Sequence, residues 1–337
     1  MNGRQVMECR YGENAYQKPA ALYSNDTGDP LALDKFELIA GAAPSYNNLC
    51  DLDRLLQTSS HIAAGFEANR SRVPRMSVAV KHGNPCGAGQ GADAIDVIRK
   101  TIKGDTRAIF GGLVMTNFPV SEEIAEELLS YLMPEGQRRL LDGIIAPSFD
   151  EKAVEMLGRK GDKCRFLANP ALAELTLDAA ERTRYVRGGY LKQPNYTFVV
   201  DFNSPEMDKS GDVSEGQEDD MLLSWAIGST SNSNTVTLVR DGMLLGNGVG
   251  QQDRVGGCWL AVNRARGAGH DTTGAAAYSD SFFPFVDGPE TLAQAGVSAI
   301  LATSGSVRDE EVRAFCESKG IGLYTVPDAI GRGFFGH

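Results

Sequence analysis

No apolar run in these 337 residues approaches the ~20 that a helix needs to cross a bilayer, so a helical membrane protein is not expected. Cysteine is sparse and scattered: Cys9, Cys50, Cys86, Cys164, Cys258 and Cys316 include no C-x-x-C pair. That spacing fits neither a zinc knuckle nor a disulfide framework, and agrees with reduced thiols in a cytoplasmic protein. The opening Met1-Asn2-Gly3-Arg4-Gln5 lacks the apolar stretch of a signal peptide. Positive charge is in deficit, 33 Lys and Arg against 44 Asp and Glu, for a net charge of −11. A non-specific nucleic-acid binder needs the opposite balance to displace counterions, although one local basic pocket for a phosphate remains compatible. The pattern G-x-x-x-x-G-K-[ST] is missing, which removes a P-loop.

What is present is a globular composition, 42% hydrophobic and 23% charged, in a chain long enough for two domains. Helical spacing covers residues 51–69, and the apolar run at 76–80 reads as a buried strand. A glycine-rich loop at 83–91 follows, then a helix at 92–103 and a strand at 108–115 interrupted by two glycines. A helix at 121–131 starts on Ser121 with Glu122 and Glu123 behind it, and a strand at 143–147 is stopped by Pro147. Residues 204–220 are acidic, polar and glycine-dotted, and read as a linker. Beyond them a helix at 221–228, a strand at 235–239, a glycine loop at 246–250 and a helix at 255–266 repeat the earlier order. Strand-like residues at 275–280 and 297–301 continue it. The repetition implies an α/β layered fold with a duplicated domain, divided into 1–200 and 201–337.

Chemistry-bearing residues cluster at strand ends. The chain has four histidines, His61, His82, His270 and His337, and Lys81-His82 stands where the strand at 76–80 gives way to a glycine turn. Such a base beside a cation is either a catalytic pair or a surface turn. Gly246-Asn247-Gly248-Val249-Gly250 has G-x-G without the third glycine of a dinucleotide fingerprint. It opens a helix that carries Arg254, so it is either a close backbone approach to an anionic or amide-bearing ligand or a turn kept small for packing. Arg10-Tyr11-Gly12 places a guanidinium, suited to bidentate phosphate contacts, beside an aromatic ring.

Several of these words occur together, in order, in one family. Arg10-Tyr11-Gly12-Glu13-Asn14, Tyr46-Asn47-Asn48-Leu49-Cys50-Asp51, Lys81-His82-Gly83-Asn84-Pro85-Cys86-Gly87, Phe110-Gly111-Gly112 and Asp142-Gly143-Ile144-Ile145-Ala146-Pro147 carry the likeness in the first half. Ser233-Asn234, Gly248-Val249-Gly250-Gln251-Gln252-Asp253-Arg254, Ser279-Asp280-Ser281-Phe282-Phe283-Pro284-Phe285 and Ser304-Gly305-Ser306 carry it in the second. The chain resembles the AICAR transformylase half of the bifunctional enzyme of purine biosynthesis that also carries IMP cyclohydrolase. The resemblance runs over essentially the whole chain and leaves no residues for the cyclohydrolase domain.

The resemblance implies two duplicated cytidine-deaminase-like three-layer α/β/α domains and a cytoplasmic homodimer with sites near the subunit interface. The implied reaction passes a formyl group from the co-substrate 10-formyltetrahydrofolate to the 5-amino group of AICAR, giving FAICAR. By the same match His82 is the general base, Lys81 supplies charge for the oxyanion or helps protonate the departing folate nitrogen, and Asn234 orients substrate. Arg10 and Tyr11 match the phosphate side of the AICAR site. Arg254 and Phe282 match the surroundings of its base, and Asn48, Gly111, Phe335 and His337 complete that set. Pro284, Phe285, Asp287 and Ser304 match the folate side. A monovalent cation near residues 231–234 is compatible with the resemblance, and no zinc, membrane or nucleic acid is expected.

The chain departs from the family's pattern in three places. Ala15-Tyr16 replaces a usual Pro-His, and Asp253 replaces a serine before Arg254. The usual Arg-x-Phe-x-His terminus becomes Gly333-Phe334-Phe335-Gly336-His337, with Arg332 displaced by one residue. A zinc deaminase would need H-x-E with P-C-x-x-C, whereas Pro85-Cys86 leads into Gly87-Ala88-Gly89. Two competing functions stay open to the sequence. One is AICAR formylation from a different one-carbon donor, such as formate with ATP. The second is that of a non-catalytic AICAR-binding sensor or regulatory relative.

Overall fold

The computed structural model describes residues 3–336, so His337 lies outside the described residues. A hairpin of β1 (Arg4–Cys9) and β2 (Ala20–Ser24) precedes β3 (Glu37–Ala40) and α1 (Tyr46–Arg70). The hairpin β4 (Arg75–Lys81) and β5 (Asn84–Gly91) leads into α2 (Ala94–Gly104). Then β6 (Leu113–Thr116), α3 (Glu122–Ser130), β7 (Gly143–Ala146), α4 (Glu151–Leu157) and β8 (Arg165–Ala168) alternate. An exposed hairpin, β9 (Arg182–Val186) and β10 (Gly189–Gln193), separates the halves. The second half runs β11 (Asp208–Ser210), α5 (Glu215–Gly228), β12 (Val236–Arg240), β13 (Met243–Gly248) and α6 (Arg254–Gly267). It ends with β14 (Ala276–Ser279), α7 (Asp287–Gln294), β15 (Ala299–Ser304), α8 (Asp309–Ser318), β16 (Gly322–Pro327) and α9 (Asp328–Gly331).

Twelve strands form one mixed sheet in the order β11-β16-β15-β14-β12-β13-β5-β4-β6-β7-β8-β3. Within it β6, β7 and β8 are parallel, as are β14, β15 and β16, and each trio is flanked by antiparallel neighbours. β5 joins β13 through the Met243–Gly89 pairing, so the same order of elements extends outward from both sides of that junction. Alternation along each strand builds the layers. Val78 and Val80 face the core beneath α1 and α5, while Ala79 faces the core beneath α2 and α3. Val236 and Leu238 likewise face the core beneath α6. α1 and α5 lie against each other, with Trp225 so near Gly65 that a Cβ there would sit 2.9 Å from the indole.

Three sequence expectations are corrected. Of residues 83–91, all but Gly83 form strand β5 rather than a loop, and 246–248 complete strand β13. Their glycines admit helix backbone: a Cβ on Gly87 or Gly89 would strike the Thr101 or Val97 carbonyl of α2, and one on Gly246 or Gly248 the Ala261 or Gly257 carbonyl of α6. The strand expected at 108–115 is confined to 113–116, because Gly111 turns the chain at φ +74°. Residues 204–220 are no linker. β11 is an edge strand on β16, and α5 begins at Glu215 on a capping box of Ser214 and Gln217. Its acidic first turns favour a helix N-terminus and receive Arg70 of α1 at Glu218 (3.0 Å) and Asp219 (2.7 Å).

Candidate functional site

Lys81 and Asn84 are paired across the β4–β5 hairpin, leaving His82 and Gly83 as its two-residue turn. Both have positive φ, +54° and +72°, as the mirror-image hairpin turns require. Histidine tolerates that region better than most side chains, and glycine occupies it freely. The turn is held from α1, where Asp51 Oδ1 accepts the Gly83 N–H at 2.6 Å. Burial raises the Asp51 pKa, against the opposing pull of that hydrogen bond and of His82. The imidazole itself is exposed. Lys81 Nζ donates to the Phe110 carbonyl at 2.5 Å and lies 3.9 Å from where a Cβ on Gly111 would stand.

The antiparallel β5–β13 junction brings the end of β13 beside this turn. A cavity of about 490 Å³ is lined there by Lys81, His82, Asn84, Asn232, Asn247 and Gly250 among others. Asn234 braces the neighbouring loop: its N–H and Nδ2 both donate to the Gln251 carbonyl, at 3.1 and 2.9 Å, and its own carbonyl accepts from Gln251 N. Beneath this loop Arg254 and Asp280 form a buried ion pair, and Asp280 also accepts the Thr235 N–H at 3.1 Å. Asp253 is the N-cap of α6, accepting from Gly256 N at 2.7 Å, a task serine performs equally well.

A second cavity of about 470 Å³ opens on the α1 side of the same turn, lined by Tyr46, Cys50, Asp53, Arg54, Gly83 and Phe335 with others. Phe335 is buried, and its N–H donates to the Ser231 carbonyl at 2.8 Å. The turn carrying Arg10 and Tyr11 is tied to the start of α1 by Asn47 Nδ2, which donates to the Glu13 carbonyl at 3.3 Å. Asn48 is the other half of the α1 capping box, its Oδ1 accepting from Ser45 N and Oγ.

The aromatic segment lies elsewhere on the same edge of the sheet. Phe283 is buried, Phe282 and Pro284 are half-buried, and Phe285 is 53% exposed with Arg308 stacked 5.2 Å from its ring centre. Asp287 begins α7, and Ser304 ends β15 next to Gly305, whose Cβ position is 3.9 Å from Phe282. β14 is four strands from β4, roughly 19 Å at ~4.8 Å per strand. None of Phe282, Pro284, Phe285 and Asp287 lines either cavity.

Among the described residues no group of three His, Cys, Asp or Glu is arranged to hold a metal. Burial pushes Cys86, Cys164 and Cys258 up to about 12, which disfavours thiolate chemistry. Sequence reading missed Asp51, Asn232 and Arg54. The available signal for Arg54 was a lone arginine among the apolar residues that α1 buries.

The family model described as "AICARFT/IMPCHase bienzyme" matches residues 1–264. The bifunctional purine biosynthesis protein PurH of Thermotoga maritima is 34% identical, covering 98% of this chain and 64% of that protein. The protein of the same name from Cutibacterium acnes is 35% identical over 94% of this chain and 56% of its own length. The chain thus spans between half and two thirds of these relatives. A solved Thermotoga maritima diaminohydroxyphosphoribosylaminopyrimidine deaminase/5-amino-6-(5-phosphoribosylamino)uracil reductase covers 29% of this chain at 17% identity and a TM-score of 0.22. So partial an overlap carries no structural argument.

Proposed function

The chain belongs to the AICARFT/IMPCHase bienzyme family, and on that premise we propose that it transfers a formyl group from 10-formyltetrahydrofolate to the 5-amino group of AICAR. The observation that carries the reading is the exposed His82 beside Lys81, in a turn braced by Asp51 and opening on a cavity shared with Asn232 and Gly250. The AICAR amine is conjugated with its ring and carboxamide, so it attacks well only as its proton leaves. His82 takes that proton as the nitrogen bonds to the formyl carbon. The Lys81 ammonium, already held on a carbonyl oxygen, steadies the oxyanion. Such a donor is worth about 3–4 kcal/mol. The oxyanion then collapses, the bond from carbon to folate N10 breaks, and N10 takes up the proton that His82 removed, giving FAICAR and tetrahydrofolate.

Arg10, Tyr11, Asn48, Gly111, Arg254, Phe282, Phe335 and His337 serve AICAR in this reading, while Asn234 fixes the loop that faces it. Pro284, Phe285, Asp287 and Ser304 serve the folate. The strand separation of roughly 19 Å between Lys81 and the aromatic segment favours a homodimer in which one protomer's aromatics complete the other's site. The two halves, 1–200 and 201–337, are read as cytidine-deaminase-like units. Their matching element order supports this, as do the paired glycines of β5 and β13. So does the use of Asp220 on α5 to hold the Asp241-Gly242 turn as Asp51 holds His82-Gly83. A monovalent cation at the 231–234 turn belongs to the same proposal. The test is a donor labelled at the formyl carbon: label recovered in FAICAR confirms transfer, and AICAR binding without transfer supports a sensor instead.

A further inference from the structure

Where the family usually has arginine, Gly333 is packed so closely on Tyr196 and Ser229 that a Cβ would collide with the Tyr196 ring and hydroxyl. No side chain fits there. Arg54 of α1 instead reaches the same segment, its Nη2 donating to the Phe335 carbonyl and to Asn232 Oδ1, both at 3.1 Å. Its guanidinium lies 4.5 Å from the centre of the Phe335 ring, and that of Arg182 on β9 lies 3.8 Å from the same centre.

Arg54 is only 9% exposed, and among the described residues no carboxylate forms an ion pair with it. Among the same described residues its Nη1 has no hydrogen-bond partner. Arg182 meets Asp53 at 3.4 Å, a long contact at the edge of solvent. Asp53 and Asp51 favour the charge of Arg54 from beyond ion-pair distance, with burial the larger, opposing influence. A buried guanidinium with an idle N–H and no carboxylate in contact is unfavourable unless a ligand supplies the anion. We infer that Arg54, assisted by Arg182, binds the phosphate monoester of the substrate in the cavity of about 470 Å³ between α1 and Phe335. Gly83 lines this cavity and His82 lines the neighbouring one, so a ligand anionic at one end and reactive at the other spans the turn. Two guanidiniums give bidentate recognition that a single lysine does not reproduce. Burial also pushes Arg54 down to about 10, still protonated at neutral pH.

The inference rests on the proposed AICAR reaction, and its test separates the two. Calorimetry compares AICAR with its dephosphorylated riboside on wild type, Arg54→Gln, Arg54→Lys and Arg182→Gln, with turnover measured alongside. Arg54→Gln is expected to weaken AICAR binding about tenfold or more, the loss of one charged hydrogen-bond set, and to change riboside binding less than twofold. Arg182→Gln, in an exposed hairpin, should show a smaller loss of the same selectivity, and Arg54→Lys a partial rescue. Inorganic phosphate should compete with AICAR on wild type and much less on Arg54→Gln. Equal weakening of AICAR and riboside, or no weakening of either, overturns the assignment even where wild type turns over. If Arg54→Gln does not fold, Arg182→Gln and phosphate competition decide, and unchanged selectivity in both overturns it. Failure of wild type to bind AICAR at all sinks the functional reading itself.

Discussion

At the scale of single residues, two carboxylates on helices do the same mechanical work. Asp51 accepts the Gly83 N–H, and Asp220 accepts those of Asp241 and Gly242, at 2.9 and 2.7 Å. Burial outweighs these hydrogen bonds at Asp220 and pushes its pKa up to about 6 from 3.8. The folded state therefore holds that proton more tightly than the unfolded chain. The resulting stability is complete below pH ~4 and lost as pH rises through ~6, about 3 kcal/mol in all. Urea unfolding of wild type and Asp220→Asn should give a stability difference that falls by about that amount between pH 4 and pH 7. A difference independent of pH would remove Asp220 as the source. His82 was legible as a candidate because a histidine beside a lysine at a strand end is rare in a chain with four histidines. Arg54 was not legible, since its meaning comes from the Phe335 carbonyl it touches, 281 residues away.

At the scale of elements, helices announced themselves better than glycine strands. α1 and α3 showed apolar periodicity, and Ser45 and Ser121 are N-caps whose side chains accept from Asn48 and Ile124. β5 and β13 were hidden because glycine ordinarily punctuates a chain, whereas here it makes room for the carbonyls of α2 and α6. The two kinds of glycine are separable by experiment. Gly83→Ala meets open space and is penalised only by its positive φ, by about 1–2 kcal/mol. Gly87→Ala drives a methyl into the Thr101 carbonyl and should cost more, about 1–3 kcal/mol of overpacking with shifted backbone. Thermal unfolding of the pair should rank Gly87→Ala below Gly83→Ala; the reverse order would mean that α2 yields freely. The first turns of α5, residues 215–220, read as linker because Gly216 and the acidic run masked the Ser214-x-x-Gln217 box that starts it, while 221–228 reads as helix.

At the scale of the whole molecule, one twelve-stranded sheet carries the chemistry-bearing residues along a single edge. The hairpin at 81–84, the loop at 248–251 and the turn at 231–235 meet there, while Phe282 to Phe285 emerge four strands from β4. The motif words at 81–87, 233–234, 248–254 and 279–285 sit on or beside this edge, whereas 10–14 belongs to the separate β1–β2 hairpin and 46–51 to the start of α1. The sheet's continuity was not legible in the sequence, since it depends on the Gly89–Met243 pairing between segments far apart in the chain. The proposed completion of the site across two protomers makes activity concentration-dependent. Specific activity should fall on dilution in step with dissociation of the dimer followed by sedimentation, and a fully active monomer would contradict the shared site.

The central claim is that His82 removes the amine proton. The measurement is steady-state formyl transfer from 10-formyltetrahydrofolate to AICAR by wild type and His82→Ala, with AICAR affinity determined independently on both. The account predicts that kcat drops about 10²–10⁴-fold while AICAR binding stays within a few-fold. Undiminished kcat in His82→Ala would contradict it.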